Sequence, residues 1–337
     1  MLATFPEGGV VVDLSSGNYT RLNMSAAAIL EELERASEID DATASIGRRL
    51  RITDHAAAEW IGAVSDQIVG VGVRNRPSPP FDYRPSPDGA YEVWNGDSCV
   101  LWIEPDGREI ALRNSQKNLP LPLYEYISGI APKLLALAGV TTLHGSGCLI
   151  AEQVLGMCGD SGAGKTTTAR MLAKFGPRLI AEDLLVLAPD LTRPRVLLDC
   201  DARVDAWAHE AADHLSRGGT NAFSTASLLT AAEGRTAPLQ TLWSLDISRR
   251  RDRLETRRLS KPDALAHVMA NNFLGGAGPS IWRRHLRASH AIAEHVPVLE
   301  TDLPNGLPNL EAALRAYTAN SASYAADPRS SDRDSQT

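Results

Sequence analysis

Residues Gly159-Asp-Ser-Gly-Ala-Gly-Lys-Thr166 constrain this chain more than any others. They fit G-x-x-x-x-G-K-[ST], a pattern that functions between a strand and a helix. Val154-Leu-Gly-Met-Cys158 supplies a short apolar run before it, and Lys165–Phe175 predicts a helix after it. The glycines let successive backbone N–H groups turn toward one centre and surround phosphate oxygens. The positive end of the following helix adds to that field. Gly159, Asp160, Ser161, Gly162, Ala163, Gly164, Lys165, Thr166 and Thr167 are therefore the expected nucleotide-binding residues. Lys165 is placed to reach the β and γ phosphates, and the Thr166 hydroxyl to ligate Mg²⁺.

The surroundings alternate between strand and helix. Thr141–Leu143, Cys148–Ala151 and Val154–Cys158 read as strands, Leu121–Ala138 and Lys165–Phe175 as helices, and Leu179–Ala181 leads into Leu184–Ala188. That alternation predicts an α/β core with a P-loop. Arg178-Leu-Ile-Ala-Glu-Asp183 ends an apolar strand in two carboxylates. Ligands collect at the carboxyl ends of parallel strands, so one acid can hold Mg²⁺ and the other can accept a proton from an attacking hydroxyl. A solvated acidic turn is the other reading. His144, in Leu143-His-Gly-Ser-Gly147, is structural or the partner of a carboxylate, and the residues alone leave both open.

Upstream, Val10–Leu14 and Asn18–Leu22 predict a hairpin around Ser15-Ser16-Gly17. Helices are expected from Asn23 or Ser25 to Glu34, over Asp40–Leu50, and from Thr53 or Asp54 to about Val69. Residues 1–76 thus form a small α+β domain. Residues 77–90 carry five prolines, which exclude a helix or an inner strand and suggest a semi-rigid linker. Residues 91–318 form the second domain, and 319–337, rich in Ser, Asp and Arg, read as a disordered tail.

A net charge of −7 argues against a general nucleic-acid partner. Cys99, Cys148, Cys158 and Cys200 show no metal-ligand spacing and suit free thiols in a reducing compartment. The chain shows neither a secretory signal nor a membrane-spanning stretch, so a cytoplasmic protein with no membrane partner is expected.

Leu143-His144-Gly145, the glycine loop and Arg178–Asp183 together resemble the core of the bacterial HPr kinase/phosphorylase family, with the motifs at that family's spacing. The resemblance implies a phosphoenolpyruvate-carboxykinase-like nucleotide site, ATP or GTP as phosphoryl donor, and Mg²⁺. It also implies that Glu182 is the general base, that His144 assists it, and that Thr166 and Asp183 serve the metal, while Lys165 acts on the transferred phosphoryl group. Two departures are visible: Glu182 stands where the family has Asp, and Thr166-Thr167 where it has Ser-Glu. The family's C-terminal signature is not recognisable here.

Val10–Leu30, with Asn18-Tyr-Thr-Arg-Leu-Asn-Met24 at its centre, is similar to the PqqD-like, winged-helix-like domains that recognise precursor peptides in ribosomal peptide biosynthesis. Such domains add a leader peptide as a strand beside a free sheet edge, here near Tyr19–Leu22. A generic winged helix for packing or DNA contact is the other reading, although no basic recognition helix is evident.

The two likenesses together imply a kinase that phosphorylates a Ser/Thr hydroxyl of a precursor peptide, as in lasso-peptide tailoring, with homo-oligomers possible as in related kinases. A kinase acting on HPr or another folded carrier is one alternative, and a nucleotide-gated peptide chaperone without transfer activity is a second. Among the weaker features, Arg249–Arg258 suits either a phosphate or acidic-peptide contact or a solvated face. Asn271–Pro279 with Arg283 and Arg284 reads as a substrate-closing loop carrying a transition-state arginine, or as a plain interhelical loop.

Overall fold

The computed structural model describes residues 1–12, 19–22, 24–36, 39–50, 53, 56–58, 61, 82–86, 89–113, 119, 121–188, 193–217, 222–231, 234–246, 251–272 and 279–325. The chain divides into two compact units. One comprises Met1–Ser78, Leu259–Ala270 and Leu274–Glu294; the other comprises Pro79–Arg258, Asn271–Phe273 and His295–Thr337.

In the first unit, β1 (Leu2–Phe5), β2 (Gly8–Val12) and β3 (Tyr19–Leu22) form an antiparallel sheet in that order, leaving β3 at an edge among the described residues. The hairpin expected from sequence is β2–β3, while its turn lies outside the described residues. β1 escapes a sequence reading because Pro6 cuts it to four residues. Helix Met24–Arg35 covers the sheet and helix Ile39–Leu50 packs against that helix, with Ala26, Ile29, Ala42 and Ile46 in their shared core. Gly9 permits the close approach, since a Cβ there would lie 2.8 Å from the Ala3 carbonyl oxygen and 3.2 Å from the Ala27 methyl. Most of the third expected helix lies outside the described residues, with Ala56–Ala58 and Ile61 helical.

Two further helices complete this unit, Lys261–Ala270 and Pro279–His295. The first lies against β2 and β3 and buries Ala264, Leu265, Val268 and Met269. On the second, His290 stacks on Phe5 with ring centroids 4.8 Å apart. Lys261 Nζ pairs with Glu294 at 2.6 Å. The first compact unit thus takes in Leu259–Ala270 and Leu274–Glu294 in addition to Met1–Ser78.

The second unit opens with a five-stranded antiparallel sheet: β4 (Asp82–Pro85), β5 (Tyr91–Asn95), β6 (Ser98–Ile103) and β7 (Glu109–Leu112), joined by a later strand. The expected linker is thus ordered over Asp82–Pro85. β4 occupies the edge of its sheet, where proline is tolerated; residues 77–81 lie outside the described residues. Helix Leu123–Leu137 follows, then β8 (Thr141–Ile150), β9 (Gln153–Gly159), helix Lys165–Ala173, β10 (Arg178–Ala181), β11 (Leu184–Leu187), β12 (Arg195–Leu197) and helix Cys200–Ser216. β13 (Phe223–Ser224) joins β7, and helix Ala226–Ala231 precedes β14 (Thr236–Leu245), β15 (Glu255–Arg258), β16 (Val298–Asp302) and helix Leu307–Ala325. This last helix overruns the expected tail boundary at 319.

The main sheet is mixed, in the order β10-β8-β11-β12-β14-β16-β15, with β9 between β8 and β14. β9, β14 and β16 are mutually parallel, which brings Gly159, Leu245 and Thr301 side by side at their carboxyl ends. One core lies beneath helices Leu123–Leu137 and Cys200–Ser216 and includes Tyr126, Ile130, Leu134, Val186 and Trp207. Another packs helices Lys165–Ala173 and Leu307–Ala325 against Leu155, Met157, Trp243 and Leu245. Among the described residues, no helix is long and apolar enough to cross a membrane.

Candidate functional site

β9 delivers the glycine loop at the carboxyl end of the parallel strands. Gly159 leaves the strand at φ 149°, and a Cβ there would sit 2.2 Å from the Leu245 carbonyl oxygen. Gly162, at φ 80°, has open space where a Cβ would be. Gly164 begins the helix at φ 99° and supplies no side-chain cap. The first-turn N–H groups therefore lack the usual side-chain acceptor and form a ready anion site. Asp160, Ser161 and Thr167 are exposed around the loop, while Ala163 is buried.

Lys165 is only 6% exposed. Its Nζ donates to the carbonyls of Gly159 at 2.9 Å and Asp160 at 3.1 Å, so the ammonium lies across the loop. Thr166 Oγ1 donates to the Glu182 carbonyl at 3.1 Å, and Ser146 Oγ donates to the same oxygen at 2.5 Å. The acidic turn is thus tied to both the loop helix and β8.

The structure pairs the acids differently from the sequence expectation. His144 Nε2 stands 3.1 Å from Asp183 Oδ1. The Glu182 carboxylate is instead engaged by Arg170, whose Nε donates to Oε1 at 2.9 Å and whose Nη2 donates to Oε2 at 2.5 Å. Two successive residues leaving a strand point to opposite sides. One therefore faces the His144 strand and the other the helix Lys165–Ala173.

Sequence reasoning missed the residues that fix this turn. Asp201 Oδ2 accepts from the backbone N–H of Glu182 at 2.7 Å and of Asp183 at 3.2 Å. Burial pushes the Asp201 carboxyl above its ordinary range, against the pull of those two donors. The only sequence signal for it was an acid in the first turn of a helix. Arg170 looked like an ordinary exposed helix residue. Asn271, read only as part of a loop, accepts from the Gly159 N–H through Oδ1 at 2.9 Å.

Arg283 and Arg284 are exposed on a helix of the first unit. Arg251 and Arg257 pair with Asp302 and Glu300, and Arg253 pairs with Glu255, as a solvated face would; Arg249 and Arg250 lie outside the described residues. The four cysteines are free thiols.

Among the described residues, no three His, Cys, Asp or Glu side chains converge as a metal cage. One hydroxyl, Thr166, and a two-carboxylate turn at the loop mouth suit Mg²⁺, which keeps waters and takes one or two carboxylates plus substrate phosphates.

No protein-family model matches the chain, and no curated protein sequence is similar to it. Among solved structures, the HPr(Ser) kinase/phosphatase from Coxiella burnetii is similar over 53% of this chain and 94% of its own, at 12% identity and a TM-score of 0.22.

Proposed function

We propose that the chain is a Mg²⁺- and nucleotide-dependent phosphotransferase whose acceptor is a hydroxyl group. One juxtaposition carries this reading: the glycine loop with Lys165 and Thr166 shares its acidic turn with a histidine–carboxylate pair. Backbone N–H groups of the loop after Gly159, whose own N–H is taken by Asn271, and the Lys165 ammonium hold the phosphates. Thr166, with Asp183 beside it, would hold Mg²⁺, which would neutralise charge on the phosphate oxygens when bound. Asp183, steadied by His144, takes the acceptor hydroxyl's proton as the oxygen–phosphorus bond forms and the nucleoside diphosphate leaves. Glu182, expected as the base, is neutralised by Arg170 and braces the turn.

The acceptor we favour is a Ser/Thr hydroxyl of a precursor peptide, captured at the free edge of β3 as in PqqD-like domains. Support comes from the motif resemblances and from the edge position of β3 in its sheet.

Wild type, K165A, D183N and E182Q incubated with Mg·ATP and candidate precursor peptides test the assignment. Mass spectrometry reads a gain of about 80 Da, one phosphoryl group. K165A and D183N should lose transfer by about 10²-fold or more, while E182Q keeps a measurable part of it. The reverse ranking of D183N and E182Q would return the base to Glu182. Bound nucleotide and peptide without any mass gain would leave a nucleotide-gated chaperone, and transfer to HPr alone would leave a carrier-protein kinase.

A further inference from the structure

We infer that Asn271 is a positioning residue of the phosphate site, fixing the start of the glycine loop against the strand that carries His144; this rests on the nucleotide reading above. Asn271 is 1% exposed. Its side-chain Oδ1 accepts from the Gly159 N–H at 2.9 Å, and its main-chain carbonyl accepts from the His144 N–H at 2.9 Å. One residue thus holds the amide at which the glycine loop leaves its strand and the amide of the histidine facing Asp183.

The arrangement restricts what can stand at position 271. Gly159 is hemmed by the Leu245 carbonyl oxygen, and its buried N–H is met by this side chain. A buried N–H that loses its acceptor is costly, so the peptide would rotate toward another partner and take the loop with it. Leucine has the size of asparagine but no acceptor. Aspartate has the acceptor but places a buried negative charge beside a site meant for phosphates.

Chain connectivity gives the position added meaning. Asn271–Phe273 belong with the nucleotide unit, whereas the residues on both sides, Leu259–Ala270 and Leu274–Glu294, belong with the first unit. The helix ending at Ala270 lies against β2 and β3, the latter being the proposed peptide edge. The first residue after that helix is the one that holds Gly159 and His144.

The test uses full-length wild type, N271A and N271D, with Mg·ATP affinity by calorimetry and hydrogen exchange of the nucleotide-free proteins over 141–150 and 153–164. In N271A, exchange at Gly159 should quicken while His144, whose acceptor is the main-chain carbonyl, stays protected, and affinity should fall at least tenfold. N271D should keep Gly159 protected and still bind at least tenfold more weakly. If wild type binds Mg·ATP and N271A matches it within twofold, or binds weakly without faster exchange, Asn271 has no positioning role while the nucleotide reading stands. Wild type that binds neither ATP nor GTP overturns that reading and this inference together. If N271A does not fold, N271D decides: affinity equal to wild type overturns the proposal.

Discussion

A methyl group added at Gly159 would sit 2.2 Å from the Leu245 carbonyl oxygen and 3.1 Å from its carbonyl carbon. Neither atom belongs to a flexible side chain, so the backbone of β9 or β14 must move. G159A should cost roughly 2 kcal/mol or more of stability and abolish Mg·ATP binding; G162A, with open space at its Cβ, should be milder. Urea unfolding and calorimetry of the two variants check this, and equal effects would show that space around Gly159 is not what matters. At this scale the sequence was most legible where function is local. Gly159, Lys165 and Thr166 announce themselves because they stand in one contiguous eight-residue motif. Asn271 was nearly silent, because its partner Gly159 is 112 positions away, and no local pattern encodes such a bond. Asp201 is silent for the same reason, 19 residues from Glu182. The pairing of His144 with Asp183 and of Arg170 with Glu182 was equally invisible, since it depends on which flank each side chain faces.

At the scale of elements, β8 illustrates how glycine misleads. His144-Gly-Ser-Gly147 interrupts an apolar pattern and predicts two short strands, yet Thr141–Ile150 is one strand. Gly145 and Gly147 are there for close packing: a Cβ at Gly145 would meet the Met157 carbonyl oxygen at 2.6 Å, and one at Gly147 would meet Leu185 at 2.8 Å. Helix Leu123–Leu137 holds β4 and β5 through Lys133, which is 1% exposed. Its Nζ lies 4.4 Å from the Tyr83 ring centroid and 4.6 Å from that of Tyr91. Burial pulls the Lys133 ammonium down to about 7 from its ordinary 10.5, while the ring faces oppose that pull. Between those two values the unfolded chain binds the extra proton, so this group makes unfolding harder as pH rises from about 7 and adds no slope below that. Wild type should gain about 1–2 kcal/mol between pH 7 and pH 9 relative to K133M. Urea unfolding at both values measures the difference, and parallel pH profiles would show the lysine to be unperturbed.

On the scale of the whole molecule, the division after Ser78 falls inside the proline-rich stretch, but the first unit also takes in a helix pair from far along the chain. Amphipathic helices do not state which sheet they cover, so the allegiance of Lys261–Ala270 and Pro279–His295 could not be read from their sequences. Residues 79–337 alone would retain both helices without the sheet that β1–β3 provide, exposing Leu265, Val268, Met269 and Ile292. That chain should aggregate or bind a hydrophobic dye, and supplying residues 1–78 in trans should suppress it. A dye-negative monomer on size-exclusion chromatography would refute the division.

The two helices enter the chain between β15 and β16, where Arg258 stands opposite Leu299 across an antiparallel rung. The excursion therefore leaves and rejoins the sheet at adjoining positions. Evolution could lengthen or exchange it as the cap of a hairpin without disturbing the sheet beneath. It could not be inherited independently of the N-terminus, however, because half of a shared hydrophobic interior would arrive without its complement. Relatives are then expected to vary at both segments in concert, and a hybrid chain made by grafting would need two matched inserts from one donor.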